Sequence, residues 1–233
     1  MFYDSTIILL LPAILLSFWA SARVKSTFAK FSQVRNSRNI TGAQAARMML
    51  DANGLNSVQI RQVGGHLTDH YNPKDRTLNL SASVCNASSI GAVAVACHEA
   101  GHAVQHANAY TPLTFRNSIV PIVNFASSLT WIFIMIGFGL ISSANTNVMG
   151  NMLLNIGIIA FLIVVVFHLV TLPVEFNASR RAIEYIETQN VVSGDEVAGC
   201  RKVLNAAALT YVAAAATALA NLARILIIRG RNR

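Results

Sequence analysis

Four apolar stretches organise the chain, and polar segments with mixed patterns separate them. The first runs from Thr6 to Ala22 and is interrupted only by Pro12. Two longer stretches, about 119–141 and 148–172, each contain the roughly 20 residues that a helix needs to cross a bilayer. The pattern predicts a mainly α-helical membrane protein with three or four transmembrane helices.

Charges around the first apolar stretch distinguish an anchor from a signal peptide. A signal peptide carries basic residues before its apolar core. Here Asp4 precedes the core, and Arg23 and Lys25 follow it. We therefore predict that residues 5–22 form a retained N-terminal transmembrane anchor.

The middle stretches predict a transmembrane hairpin over residues 119–172, because the linker Ser142–Asn147 between them is short and uncharged. A polar helix carrying several charges is expected over residues 173–202. The last stretch, residues 203–228, is rich in alanine and contains Arg224. It is long enough for a fourth transmembrane helix, with a helix packed on the membrane or on the domain as the alternative.

Residues 23–118 show the patterns of a folded domain that begins with a helix and a strand. Thr41 is a suitable N-cap for a helix running to about Asn53. Residues 58–63 then alternate between apolar and polar side chains, as expected for a half-buried strand.

A hairpin and a second helix are predicted next in this domain. Segments 66–71 and 77–81 flank the turn 72–75, which predicts an antiparallel hairpin and a small antiparallel sheet. With Asn86 as its N-cap, a helix of small residues is expected to run from about Ser88 to Asn108.

Composition supports a membrane location. Charged residues make up 12% of the chain, whereas soluble domains contain about 25%. The net charge of +8 comes largely from basic residues that flank the apolar stretches, as in transmembrane proteins. We therefore expect a lipid bilayer, and no nucleic acid, as a partner. The sequence gives no indication of the oligomeric state.

The basic residues also predict an orientation, because they accumulate on the cytoplasmic side of membrane proteins. They are frequent in residues 23–118 and 173–202 but absent from the linker 142–147. Both basic segments are therefore expected to face the cytoplasm. The basic residues after 228 conflict with this arrangement if residues 203–228 cross the membrane.

The strongest chemical signal is the motif His98-Glu99-Ala100-Gly101-His102, which has the form H-E-x-x-H. On a helix, residues four apart share a face, so both imidazoles can bind one zinc ion. Catalytic zinc has three protein ligands and one open position. The adjacent Glu99 is placed to act as general base toward a water at that position.

Spacing along the motif helix does not by itself identify the third ligand. His106 lies one turn beyond His102, too far along a straight helix to share one zinc ion easily. His70 on the hairpin and His168 within an apolar stretch remain alternatives. Glu175 starts the polar helix on the same predicted membrane face as the motif, and is our preferred third ligand.

Several segments together resemble the YugP-like family of bacterial membrane zinc metallopeptidases. They are Thr41–Ala43, Leu67–Pro73, Ser88–His106, Leu172–Arg181 and Leu209–Ala213. The resemblance implies that His98, His102 and Glu175 bind one Zn2+ per chain, and that Glu99 is catalytic. It also implies a multi-pass location in the bacterial plasma membrane.

The motif is also similar to that of the broader gluzincins, a class of zincin-like enzymes. Membrane-bound gluzincins place an aspartate four residues after the glutamate ligand, where it orients a histidine. Ser179 holds that position here, with Asn177 and Asp69 as further candidates. An oxyanion stabiliser is expected among Tyr211, His70 and Arg181.

These patterns predict a zinc metallopeptidase that hydrolyses a peptide or membrane-protein substrate near the cytoplasmic membrane face. Three other functions remain open. The first is an intramembrane protease, the second a membrane scaffold with structural zinc, and the third a hydrolase of non-peptide amides.

Overall fold

The computed structural model describes residues 5–141 and 145–231. Part of the predicted linker, residues 142–144, lies outside the described residues, as do Asp4 and Arg233. A 3-10 turn, Ser5–Leu10, precedes the first helix. The helices are α1 (Leu11–Ser32), α2 (Gly42–Ala52), α3 (Ala82–Cys85), α4 (Ile90–Ala107), α5 (Thr111–Ile141), α6 (Asn147–Thr188) and α7 (Gly194–Arg231). The strands are β1 (Gln59–Val63), β2 (His70–Asn72) and β3 (Thr77–Ser81).

Four of these helices are long and apolar enough to cross a membrane, namely α1 with its preceding turn, α5, α6 and α7. They expose large apolar side chains such as Phe18, Phe125 and Met135. Large apolar surfaces of this kind fit lipid better than water. The predicted class, a mainly α-helical membrane protein with a small sheet, is therefore confirmed.

Several helix boundaries differ from the prediction, and both α5 and α7 begin earlier than expected, at Thr111 and Gly194. Helix α6 continues through Pro173 to Thr188, so the predicted polar helix is the end of α6 and the start of α7. A proline removes one backbone donor but does not have to end a long helix. Asn86 is the C-cap of α3, and the N-cap of α4 is Ser89, whose hydroxyl accepts a hydrogen bond from the Ala92 backbone.

The sheet has the order β1-β3-β2 and is mixed. The predicted hairpin is confirmed, because β2 and β3 are antiparallel with Tyr71 opposite Leu78. The expectation of an entirely antiparallel sheet is wrong for β1, which pairs parallel to β3 with Ile60 opposite Leu78. Every residue of β3 is buried, which explains why this strand takes the centre and separates β1 from β2.

The described residues form two compact units. Four helices contribute residues to both units, namely α1, α5, α6 and α7. One unit contains residues 5–19, 115–172 and 211–231 within the described ranges. Its core includes Leu154 and Phe161. A Cβ on Gly137 would lie 2.8 Å from the Leu154 backbone nitrogen, so α5 and α6 approach closely at this glycine.

The second unit contains residues 20–114 and 173–210. Its core surrounds α4 and joins side chains from α2, β3 and α6, including Met49, Leu80 and Ile186. Helix α2 begins with a capping box, in which Thr41 and Gln44 exchange hydrogen bonds, as the sequence predicted for its N-cap. This packing fixes α4 on several sides and therefore fixes the motif that it carries.

Candidate metal centre

Helix α4 presents both histidines of the motif on one face. His98 is buried, and His102 is half-buried. Their ring centroids are 4.8 Å apart, with the ring planes nearly perpendicular. The four-residue spacing therefore places the two imidazoles together, as expected from the helical period.

Glu175 of α6 completes a cluster with these two imidazoles. Its Oε2 atom lies 3.3 Å from His98 Nε2 and 3.5 Å from His102 Nε2, and the residue is 4% exposed. Tetrahedral zinc holds nitrogen and oxygen ligands at about 2.0–2.1 Å, which separates the ligand atoms by about 3.3–3.4 Å. The two measured separations fit that donor set, so these residues could hold a zinc ion.

A glycine allows the two helices to meet at this point. A Cβ on Gly101 would lie 2.8 Å from the carbonyl oxygen of Ala178 and 3.3 Å from its Cα. Both contacts are with backbone, which cannot rotate away as a side chain can. Gly101 therefore permits the close crossing of α4 and α6 that brings Glu175 to the histidines.

Replacing Gly101 with alanine should push α4 and α6 apart at the site. Metal ligands need positions accurate to about 0.5 Å, so we expect the zinc affinity to fall by about tenfold or more. Overpacking should also lower the free energy of unfolding by about 1–3 kcal/mol. Zinc titration and thermal unfolding would measure the two effects. Gly139→Ala is a matched control, since its added Cβ meets nothing within 4 Å. Equal losses of zinc affinity in Gly101→Ala and Gly139→Ala would contradict the role of Gly101.

The other ring nitrogen of each histidine also has a partner. Ser179 Oγ lies 3.1 Å from His98 Nδ1, which places this serine where the sequence predicted an orienting group. Gln105 Oε1 lies 2.9 Å from His102 Nδ1. Such partners fix the orientation of ligand imidazoles.

Sequence reasoning did not identify Gln105. A glutamine three residues after a histidine is common on a helix, and only the facing helix shows that its side chain is engaged. The spacing is nevertheless a usable signal, because residues three apart on a helix are neighbours.

Glu99 lies beside the cluster without a hydrogen-bond partner among the described residues. Burial raises the pKa of its carboxyl group above the usual range, and the imidazoles of His98 and His102 oppose this rise. The carboxylates of Glu175 and Asp69 act in the same direction as burial. A carboxylate with a raised pKa is a better proton acceptor at neutral pH.

The remaining histidines occupy other places. His106 Nδ1 lies 3.0 Å from the hydroxyl of Tyr71, and these two residues line a cavity of about 290 Å³ with Arg76. His70 is exposed and contacts Thr68 and Asn79. The metal cluster identified among the described residues contains His98, His102 and Glu175 and none of these others.

The other candidates for supporting roles divide between the units. Asp69 accepts hydrogen bonds from the backbone and hydroxyl of Ser81 and thereby fixes the loop before β2. Asn177 accepts a hydrogen bond from Arg181 Nε at 2.8 Å. Tyr211 and His168 belong to the unit that does not contain the cluster.

Comparison with known proteins adds two findings. Residues 6–230 match the family described as "Putative neutral zinc metallopeptidase". The chain is 47% identical over 222 residues to a Bacillus subtilis (strain 168) protein named "Putative membrane protease YugP", and the match covers 95% of each chain. No solved structure matches significantly.

Proposed function

The chain belongs to the family of neutral zinc metallopeptidases, and from this premise we propose that it is a membrane-embedded zinc-dependent peptidase that hydrolyses peptide bonds. The observation that carries the proposal is the convergence of His98, His102 and Glu175 beside Glu99. Three ligands with one open position are typical of catalytic zinc. The substrate would be a peptide or a membrane protein.

The ligand residues would hold one zinc ion through His98 Nε2, His102 Nε2 and Glu175 Oε2. Bound zinc supplies a Lewis acid that polarises a carbonyl group and makes a coordinated water more acidic. Ser179 Oγ and Gln105 Oε1 would keep the two imidazoles oriented for this role by hydrogen bonding with their Nδ1 atoms.

Glu99 would move the proton in this reaction. Its carboxylate accepts a proton from the attacking water and later delivers it to the nitrogen of the leaving amine. The raised pKa of this carboxyl group makes its carboxylate a stronger proton acceptor, which favours the first transfer.

Two alternatives receive less support. Structural zinc sites are closed by four protein ligands, whereas the cluster in the described part of the chain contains three. An intramembrane protease would place its metal-binding helix within the bilayer. Helix α4 has 18 residues and is not among the candidate membrane spans of the described ranges.

Removal of the metal tests the proposed activity. We expect purified protein to cleave a mixture of fluorogenic peptides, to lose this activity on treatment with a chelator, and to regain it when zinc is added back. The physical reason is that the attacking water is not acidic enough without the metal. Cleavage that persists after zinc has been removed, as verified by elemental analysis, would contradict a zinc peptidase.

We also propose the location predicted from the charges, a multi-pass protein of the bacterial plasma membrane with 23–118 and 173–202 facing the cytoplasm. In this arrangement 5–22 is an anchor and 119–172 a transmembrane hairpin. The alternatives for 203–228, a fourth span or a membrane-packed helix, both remain compatible with α7.

Labelling of intact cells tests this orientation. A cysteine introduced at the exposed Asn145 should react with an impermeant thiol reagent added outside the cells. One introduced at the exposed Asp195 should react only after the membrane is permeabilised. The reverse pattern would place the site on the outer side.

A further inference from the structure

A buried chain of side-chain hydrogen bonds connects His102 to helix α6. Gln105 is fully buried, and its Nε2 atom lies 2.8 Å from the carbonyl oxygen of Val174 and 3.0 Å from Asn177 Oδ1. Asn177 Oδ1 also lies 2.8 Å from Arg181 Nε. At the other end, Gln105 Oε1 is 2.9 Å from His102 Nδ1. The two helices that carry the ligand residues are thus joined by amide groups.

The direction of each hydrogen bond in this chain follows from its ends. The carbonyl oxygen of Val174 can only accept, so the amide nitrogen of Gln105 must face it. Arg181 Nε–H can only donate, so the oxygen of Asn177 must face Arg181. The Gln105 amide nitrogen therefore donates to both acceptors, and its oxygen is left facing His102 Nδ1.

The amide oxygen of Gln105 can only accept a hydrogen bond, so His102 Nδ1 must carry a hydrogen. The lone pair of a neutral His102 ring then resides on Nε2, the atom that lies 3.5 Å from Glu175 Oε2. Only that tautomer can use Nε2 as a metal ligand.

We propose that Gln105, Asn177 and Arg181 form a positioning relay that sets the tautomer and ring orientation of His102. Gln105 acts directly on the ring, Asn177 holds the Gln105 amide, and Arg181 fixes the direction of Asn177. The proposal rests on the proposed zinc site and adds to it the residues that prepare one of its ligands.

Burial supports a role beyond packing. Among the largest fully buried side chains of the described residues, Gln105 is polar and the others are apolar. A buried amide is costly unless its donors and acceptor are all engaged. The three hydrogen bonds of the Gln105 side chain lead to the facing helix or to His102, so the amide links His102 to α6.

Zinc affinity of the full-length protein in detergent tests the relay. Gln105→Met keeps the approximate volume but removes the hydrogen bonds, and we expect its affinity for zinc to fall by about 10- to 100-fold. The same substitution at the exposed Gln189 is the matched control and should leave the affinity unchanged. When Co2+ replaces zinc, its absorption spectrum should also change in Gln105→Met, because this spectrum reports the geometry of the ligands directly.

A second pair of variants separates hydrogen bonding from packing. Asn177→Asp retains an oxygen that accepts from both Gln105 and Arg181, so zinc affinity should stay within about threefold of the wild type. Asn177→Leu is similar in size but cannot accept, and we expect it to lose about tenfold or more. This pair decides the question even if Gln105→Met does not fold.

The outcomes are distinguishable from those of the proposed function. If wild-type protein binds zinc and Gln105→Met or Asn177→Leu binds it equally well, the relay is wrong and the zinc site stands. Equal losses of zinc affinity in Asn177→Asp and Asn177→Leu also overturn the relay, because the oxygen acceptor retained in Asn177→Asp should preserve the affinity. If the wild type binds no zinc, both proposals fail.

Discussion

Alanine at Glu175 should empty the metal centre. We expect about one zinc ion per chain in the purified wild-type protein and little in Glu175→Ala. Loss of an outer partner typically weakens metal binding by about 10- to 100-fold, so loss of a ligand should exceed about 100-fold. The variant would also leave His98 and His102 without the carboxylate that faces both Nε2 atoms. Elemental mass spectrometry after gentle purification measures the result.

The control for this variant is Glu184→Ala, which removes an exposed carboxylate from the same helix. Its zinc content should match that of the wild type. Retention of zinc by Glu175→Ala would show that Glu175 is not an essential ligand. His106, His70 and Asp69 would then be tested in its place.

Glutamine at Glu99 should strongly slow hydrolysis while leaving the zinc in place. The amide is nearly the same size as the carboxylate but cannot accept the proton of the attacking water. General base catalysis contributes about 10²- to 10⁴-fold, and we expect kcat to fall by about that factor. Peptide cleavage and zinc content should be measured on the same preparation.

Two outcomes would contradict the role assigned to Glu99. Cleavage at the wild-type rate would remove it from the proton transfers. Loss of zinc together with activity would make it part of the metal site instead. Glu184→Gln carries the same chemical change at an exposed position of α6 and should behave as the wild type.

The elements that depend on local patterns could be predicted from the sequence. The motif His98–His102 places its two histidines one helical turn apart. The cap at Thr41 and the turn between β2 and β3 are likewise short-range features. Glu175 required an argument about membrane sides rather than local spacing. The structure places its carboxylate beside the two histidines.

What could not be predicted depends on contacts between distant segments. The parallel pairing of β1 with β3 follows from the burial of β3 on both faces, which its short sequence does not reveal. Gly101 and Gln105 looked like an ordinary small residue and an ordinary polar residue. Their roles become visible only when Ala178 and Asn177 of α6 are opposite them.

The crossing of α4 and α6 at Gly101 has a consequence for how the protein is made. His102 precedes Glu175 by 73 residues (175 − 102), and α5 and most of α6 lie between them. During synthesis, the H-E-x-x-H helix therefore leaves the ribosome long before its carboxylate partner exists. The two imidazoles cannot assemble the three-ligand centre until the intervening apolar segments have been translated. The order of the chain thus delays assembly of the candidate metal centre until α5 and most of α6 have been synthesised.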